Sequence, residues 1–178
     1  ADGRLKVVAT IFPPYDFVRQ IAGEQVELTM LLPPGTESHS FEPTPKDILT
    51  IQTCDVFIYV GGESDAWLDG ILDSMDTSRM TILSLMEMVE VKEEEIVEGM
   101  QQLSVHGGEE KELLNEADGH ADEDHEYDEH VWNSPKNAQT IVSHLSETLS
   151  SLNAANAALY KERTIAHQEN LLALDRAF

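Results

Sequence analysis

Four of the seven histidines, His106, His120, His125 and His130, fall within one acidic run that ends at Trp132. Imidazole and carboxylate in combination are the donors that a divalent transition metal takes, so metal binding is the first chemistry to test. Between Val91 and His130 fifteen Asp and Glu residues face only Lys92 and Lys111, a net charge of −13. Most of those carboxylates read as a solvated loop. His130 differs from the others because it stands in HVWNSP, where Val131 and Trp132 can anchor the backbone just ahead of a capped helix. Upstream, His39 lies in GTESHSFEP, a loop between a strand and a helix. His144 and His167 sit inside helical patterns and read as surface or satisfied histidines.

Other chemistries lack their residues. There is no HExxH, GxSxG, phosphate-binding loop or GxGxxG pattern, and nothing pairs a glutamate with a metal-bound water, so a hydrolase has no support. A single cysteine, Cys54, rules out an intramolecular disulfide and any cysteine-based zinc motif. It opens the apolar run CDVFIYV and reads as a small buried hydrophobe. The formal net charge of −23 argues against nucleic acid or an anionic membrane surface as partner. No apolar stretch reaches the ~18 residues of a membrane span. No signal peptide is visible, which leaves a cytosolic protein or a mature exported one without its leader.

The elements that must hold these residues alternate strand and helix. LKVVATIF suits a buried parallel strand; Pro13-Pro14 ends it, and YDFVRQIAG follows as a helix closed by Gly23. VELTMLL is a second strand, stopped by Pro33-Pro34-Gly35. Thr44 before Pro45 marks a helix start, KDILTIQTC leads into a strand at Asp55–Val60, and Gly61-Gly62 turns out of it. DAWLDGILDSM reads as an amphipathic helix, and Thr81–Leu85 as a fourth strand. Ser134-Pro135 starts another helix, and after a break near Asn153 a long one runs from Ala154 to Phe178, with Leu159, Ile165, Leu171, Leu172, Leu174 and Phe178 on its apolar side. The expected fold is therefore α/β: a single three-layer lobe with a four-stranded, mostly parallel sheet flanked by helices. In such sheets ligands bind beyond the carboxyl ends of the strands, the edge on which both the His39 loop and the Gly61-Gly62 turn fall.

Taken in order, LKVVATIFPPYDFVRQIAG, SHSFEPTP, CDVFIYVGG, AWLDGIL, the acidic His-rich insert and DEHVWNSP resemble the zinc/manganese solute-binding proteins of ABC transporters, the ZnuA/TroA-like family that includes adhesin lipoproteins. The resemblance covers essentially the whole chain. It implies two α/β lobes joined by a long rigid helix, with the metal held between them. The family's first two ligands fall on His39 and His130. It further implies that residues 1–153 are the N-terminal metal-binding lobe, with the insert at about 91–129, and that 154–178 begin the linking helix, the C-terminal lobe being absent. His106, His120 and His125 would be accessory, zinc-collecting residues. Zn²⁺ is expected and Mn²⁺ is the alternative, because imidazole-rich sites suit zinc and carboxylate-rich ones manganese. The implied partner is an ABC permease, in a periplasmic or membrane-associated extracellular setting reached through the permease or a lipid anchor. A homodimer sharing one metal is a further possibility, and a surface adhesin with incidental metal binding is the rival reading. Two departures stand out: Ser38 and Glu129 replace prolines common in the family, which is expected to loosen both loops and, where the other lobe is absent, to let Asp128 or Glu129 approach the metal.

Overall fold

The structure, a computed structural model, describes residues 3–89 and 129–176. His106, His120, His125 and Asp128, and with them almost all of the acidic insert, lie outside the described residues. The chain enters through β1 (Leu5–Ala9), α1 (Phe12–Ala22) and β2 (Val26–Met30). It continues through α2 (Pro45–Gln52), β3 (Val56–Tyr59), α3 (Asp69–Ser74), β4 (Thr81–Ser84) and the short α4 (Leu85–Met88). After the insert come α5 (Pro135–Leu152) and α6 (Ala157–Asp175).

All four strands are parallel, in the order β2-β1-β3-β4. The central pair is buried on both faces, as expected of uninterrupted apolar runs. Val7, Ala9, Val56 and Ile58 point into one cluster with α1, α5 and α6, and Val8 and Phe57 point into the other with Ile51, Cys54 and Leu68. Period-two alternation thus sends each strand's side chains into two separate cores, giving three layers. Cys54 is buried as expected, and burial together with the neighbouring Asp55 charge pushes its thiol up to about 12. Among the described residues no helix is long and apolar enough to cross a membrane.

Helix starts follow the capping chemistry. Thr44 accepts from the Asp47 amide while the Asp47 carboxylate accepts from the Thr44 amide at 2.8 Å, a complete capping box. Ser134 caps α5 through the Asn137 amide, again ahead of a proline. Three expectations need correction. Pro13 and Pro14 do not separate strand from helix; they lie in the first turn of α1, where a missing N–H costs nothing. DAWLDGILDSM is not one helix: residues 63–68 form a 3₁₀ segment, and only Asp69–Ser74 are α-helical. The reason is that Asp65 folds back to take the amides of Val60 and Gly61, which tightens the turn after β3.

The third correction concerns α6. Ile165 and Leu172 face solvent, while Tyr160 and Thr164 are buried and His167 and Leu171 lie half-buried on the same face. The anchors of that face are largely polar. Arg163 donates to the Ala22 carbonyl at 2.9 Å, closing the end of α1, and Gln168 donates to Ser143 Oγ at 2.7 Å on α5. A count of apolar residues alone therefore placed Leu171 correctly and Ile165 and Leu172 on the wrong side. His167 is likewise no surface residue: its ring packs on Phe17 at 6.0 Å.

Candidate metal site

The carboxyl ends of the strands open into a cleft of about 490 Å³. Its walls come from four places: Ile11 to Pro13 after β1, Met30 to His39 after β2, Val60 to Asp65 after β3, and Glu129 to Trp132 before α5. This is the edge at which the strand order reverses about β1, and neighbouring connections there depart to opposite faces of the sheet. His39 and His130, far apart in sequence, line the same cleft. Glu37, Asp65 and Glu129 add three carboxylates to the lining, and no Lys or Arg is among the described lining residues, so the cleft favours a cation.

His39 sits in a single 3₁₀ turn, Ser38–Ser40, closed by the Phe41 amide donating to the Ser38 carbonyl at 3.0 Å. Its Nε2 lies 3.2 Å from Glu37 Oε2, and both side chains are about two-thirds exposed or more (67% and 72%), so this pair adds little stability. The turn is held on both sides. Ser38 Oγ donates to Asp65 Oδ1 at 2.7 Å, and the Phe41 ring packs edge-on against Trp67 at 5.0 Å.

His130 leads into a second 3₁₀ turn, Val131–Asn133, in which the Asn133 amide donates to the His130 carbonyl at 3.0 Å. Val131 is buried in the core, and Trp132 packs edge-on to the His130 ring at 5.4 Å. Just upstream, the Glu129 carboxylate accepts from the Ser64 amide at 3.1 and 3.3 Å. The expected loosening at Ser38 and Glu129 is therefore not what the structure contains: each polar replacement makes a specific bond to the segment after β3. The Glu129 carboxylate is turned toward that backbone.

Asp65 is the residue that the sequence did not single out. It is 3% exposed and accepts from Ser38 Oγ, the Val60 amide at 2.8 Å and the Gly61 amide at 3.0 Å. A buried carboxylate needs such donors, and here they tie the end of β3 to the His39 turn. The available signal was an acid placed just after a glycine pair at the ligand edge of a parallel sheet. Among the described residues no three His, Cys, Asp or Glu side chains converge closely enough to hold a metal by themselves. His39 and His130 thus line one cleft without completing such a group.

The profile of the family described as ZnuA, zinc-uptake complex component A periplasmic, matches residues 7–178. The chain belongs to the ZnuA family. Among relatives of this ZnuA-family chain, the zinc-binding lipoprotein AdcA of Streptococcus pneumoniae serotype 4 is 33% identical over 179 residues, which take in 100% of this chain and 33% of that protein. The high-affinity zinc uptake system protein ZnuA of Bacillus subtilis is 27% identical, over 98% of this chain and 50% of its own length. The chain thus spans from a third to a half of these two relatives. Among solved structures, Zn(II)-bound AdcA from S. pneumoniae superposes with a TM-score of 0.73 at 27% identity, covering 98% of this chain and 32% of that one. The metal-dependent lipoprotein YcdH of B. subtilis gives 0.75 at 25% identity, over 98% and 54%. The four-stranded parallel sheet with flanking helices is the lobe architecture of this family.

Proposed function

We propose that this chain forms the N-terminal lobe of an extracytoplasmic zinc-binding protein and that it captures the ion for delivery to a membrane permease. The observation that carries the reading is the meeting of His39 and His130 in one acidic cleft at the carboxyl edge of the sheet. Residues 1–153 make up the lobe, and 154–178 begin a helix that connects it to what lies beyond. The names of the zinc-binding and zinc-uptake relatives support the choice of ion.

Capture needs no acid, base or nucleophile. Zinc is the cargo, and two neutral imidazoles provide half of a tetrahedral set. A second lobe supplies the remaining donors. Neutral imidazole is needed for ligation, so affinity falls on acidification. In zinc titrations of the full-length protein against a chromophoric chelator, His39→Ala and His130→Ala each abolish tight binding, whereas deletion of residues 106–125 leaves it largely intact. The reverse pattern would move the site into the insert and end this reading.

A further inference from the structure

The anchors of both histidine loops land on one short stretch of chain. Ser38 and Phe41, on either side of His39, contact Asp65 and Trp67; Glu129, adjacent to His130, contacts the Ser64 amide. The stretch is itself fixed from below, because Asp65 Oδ2 accepts from the amides of Val60 and Gly61 at the end of β3. Two loops from distant parts of the sequence are therefore referenced to a common support, and that support grows directly out of the central sheet. The Glu129 carboxylate packs so close over Gly62 that a Cβ at that position would collide with it.

We propose that residues 62–67 form a positioning frame that sets the separation of His39 and His130, with Asp65, Ser38 and Glu129 as positioning residues and not ligands. The proposal rests on the reading that those two histidines hold zinc. Its chemistry is distinct from coordination. A metal-ligating Glu129 works through its charge, whereas a Glu129 that clasps the Ser64 amide works through a neutral acceptor oxygen equally well. Ser38 likewise needs only its hydroxyl, which donates to Asp65. A frame of this kind gives the lobe two pre-set donors, so that less ordering remains to be done when the ion arrives.

Conservative replacement separates the two roles. Zinc affinity of the full-length protein is measured by chelator competition, with the metal-free thermal midpoint recorded for each variant as a folding control. Ser38→Ala and Glu129→Ala each weaken zinc binding by about tenfold or more, the usual effect of removing a group that orients a ligand. Ser38→Thr and Glu129→Gln, which keep the hydroxyl and the acceptor oxygen, recover most of the affinity that the alanine variants lose. If Glu129→Gln loses as much as Glu129→Ala, Glu129 is acting through its charge and the frame is overturned. Loss with His39→Ala and His130→Ala, but none with Ser38→Ala and Glu129→Ala, overturns the frame alone. No loss with either histidine variant overturns the site reading and the frame with it. Should Glu129→Ala lower the metal-free midpoint, the half-buried Ser38 supplies the deciding pair.

Discussion

Gly62 occupies a backbone region that side chains rarely enter, with φ +74° and ψ −166°. Two costs therefore meet in Gly62→Ala: the strained conformation and the displacement of the Glu129 carboxylate. The conformational cost alone is about 1–3 kcal/mol. Urea unfolding of the metal-free variant should record a loss of at least that size, and an unchanged midpoint would mean that the turn has another accessible shape. Gly35 offers a contrast. Its φ is +82°, but nothing lies within 4 Å of the space a Cβ would take, so only the strain applies there. Cys54, the only thiol, is buried and its pKa is raised by its surroundings, which removes the thiolate that metal binding or oxidation would require.

At the scale of the elements, α6 carries a histidine whose protonation opposes its packing. Burial holds His167 below the ordinary imidazole range, and Asp16 on α1 only partly offsets this. Its Nε2 is buried without a hydrogen-bond partner, and its ring rests on Phe17 of α1. The folded chain thus prefers the neutral ring, while the unfolded chain takes up a proton at about pH 6.5. The contribution is complete above that pH, declines as pH falls below it, and stops declining once the folded ring also protonates. Thermal midpoints followed from about pH 7 to 5 should fall less steeply in His167→Leu than in the wild type. Equal slopes would assign the acid sensitivity to other groups. This behaviour was not legible in the sequence, and the cause is instructive. Capped helices announce themselves locally, so Thr44-Pro45 and Ser134-Pro135 located α2 and α5 correctly. The inward face of α6 is defined instead by the buried Tyr160 and Thr164 and by Arg163 and Gln168, the last two bonding to α1 and α5, and apolar periodicity does not register them. The same holds at the cleft. His39 and His130 stood out by residue type and by family resemblance, whereas Asp65 and Glu129 act through backbone amides that no pattern of side chains encodes.

At the scale of the molecule, the three layers divide the labour. The central strands build the two cores, α1, α5 and α6 cover one face, and the cleft lies at the strand ends where neither core is disturbed by its polar residues. Replacing an exposed lining residue such as His39 or His130 need not open a cavity in either core, so metal affinity and stability can be tested separately there.

The clasp between Glu129 and Ser64 also bears on the order of assembly. The pairing of β1 with β2 joins consecutive strands, so it can form early, whereas β3 reaches β1 only across α1, β2 and α2. The clasp of Glu129 on the Ser64 amide, which brings His130 to the cleft, closes a longer loop than either of those pairings and is expected to form after them. A bound ion would then bridge two segments that have already come together. Zinc should slow unfolding and leave the refolding rate nearly unchanged, because the contact it makes is absent from the folding transition state. Stopped-flow measurements with and without zinc would read this directly, and faster refolding in zinc would place the return of the His130 segment to the cleft in the nucleus. An ion held there would extend the lifetime of the fold, so that loading and unloading would change durability as well as occupancy.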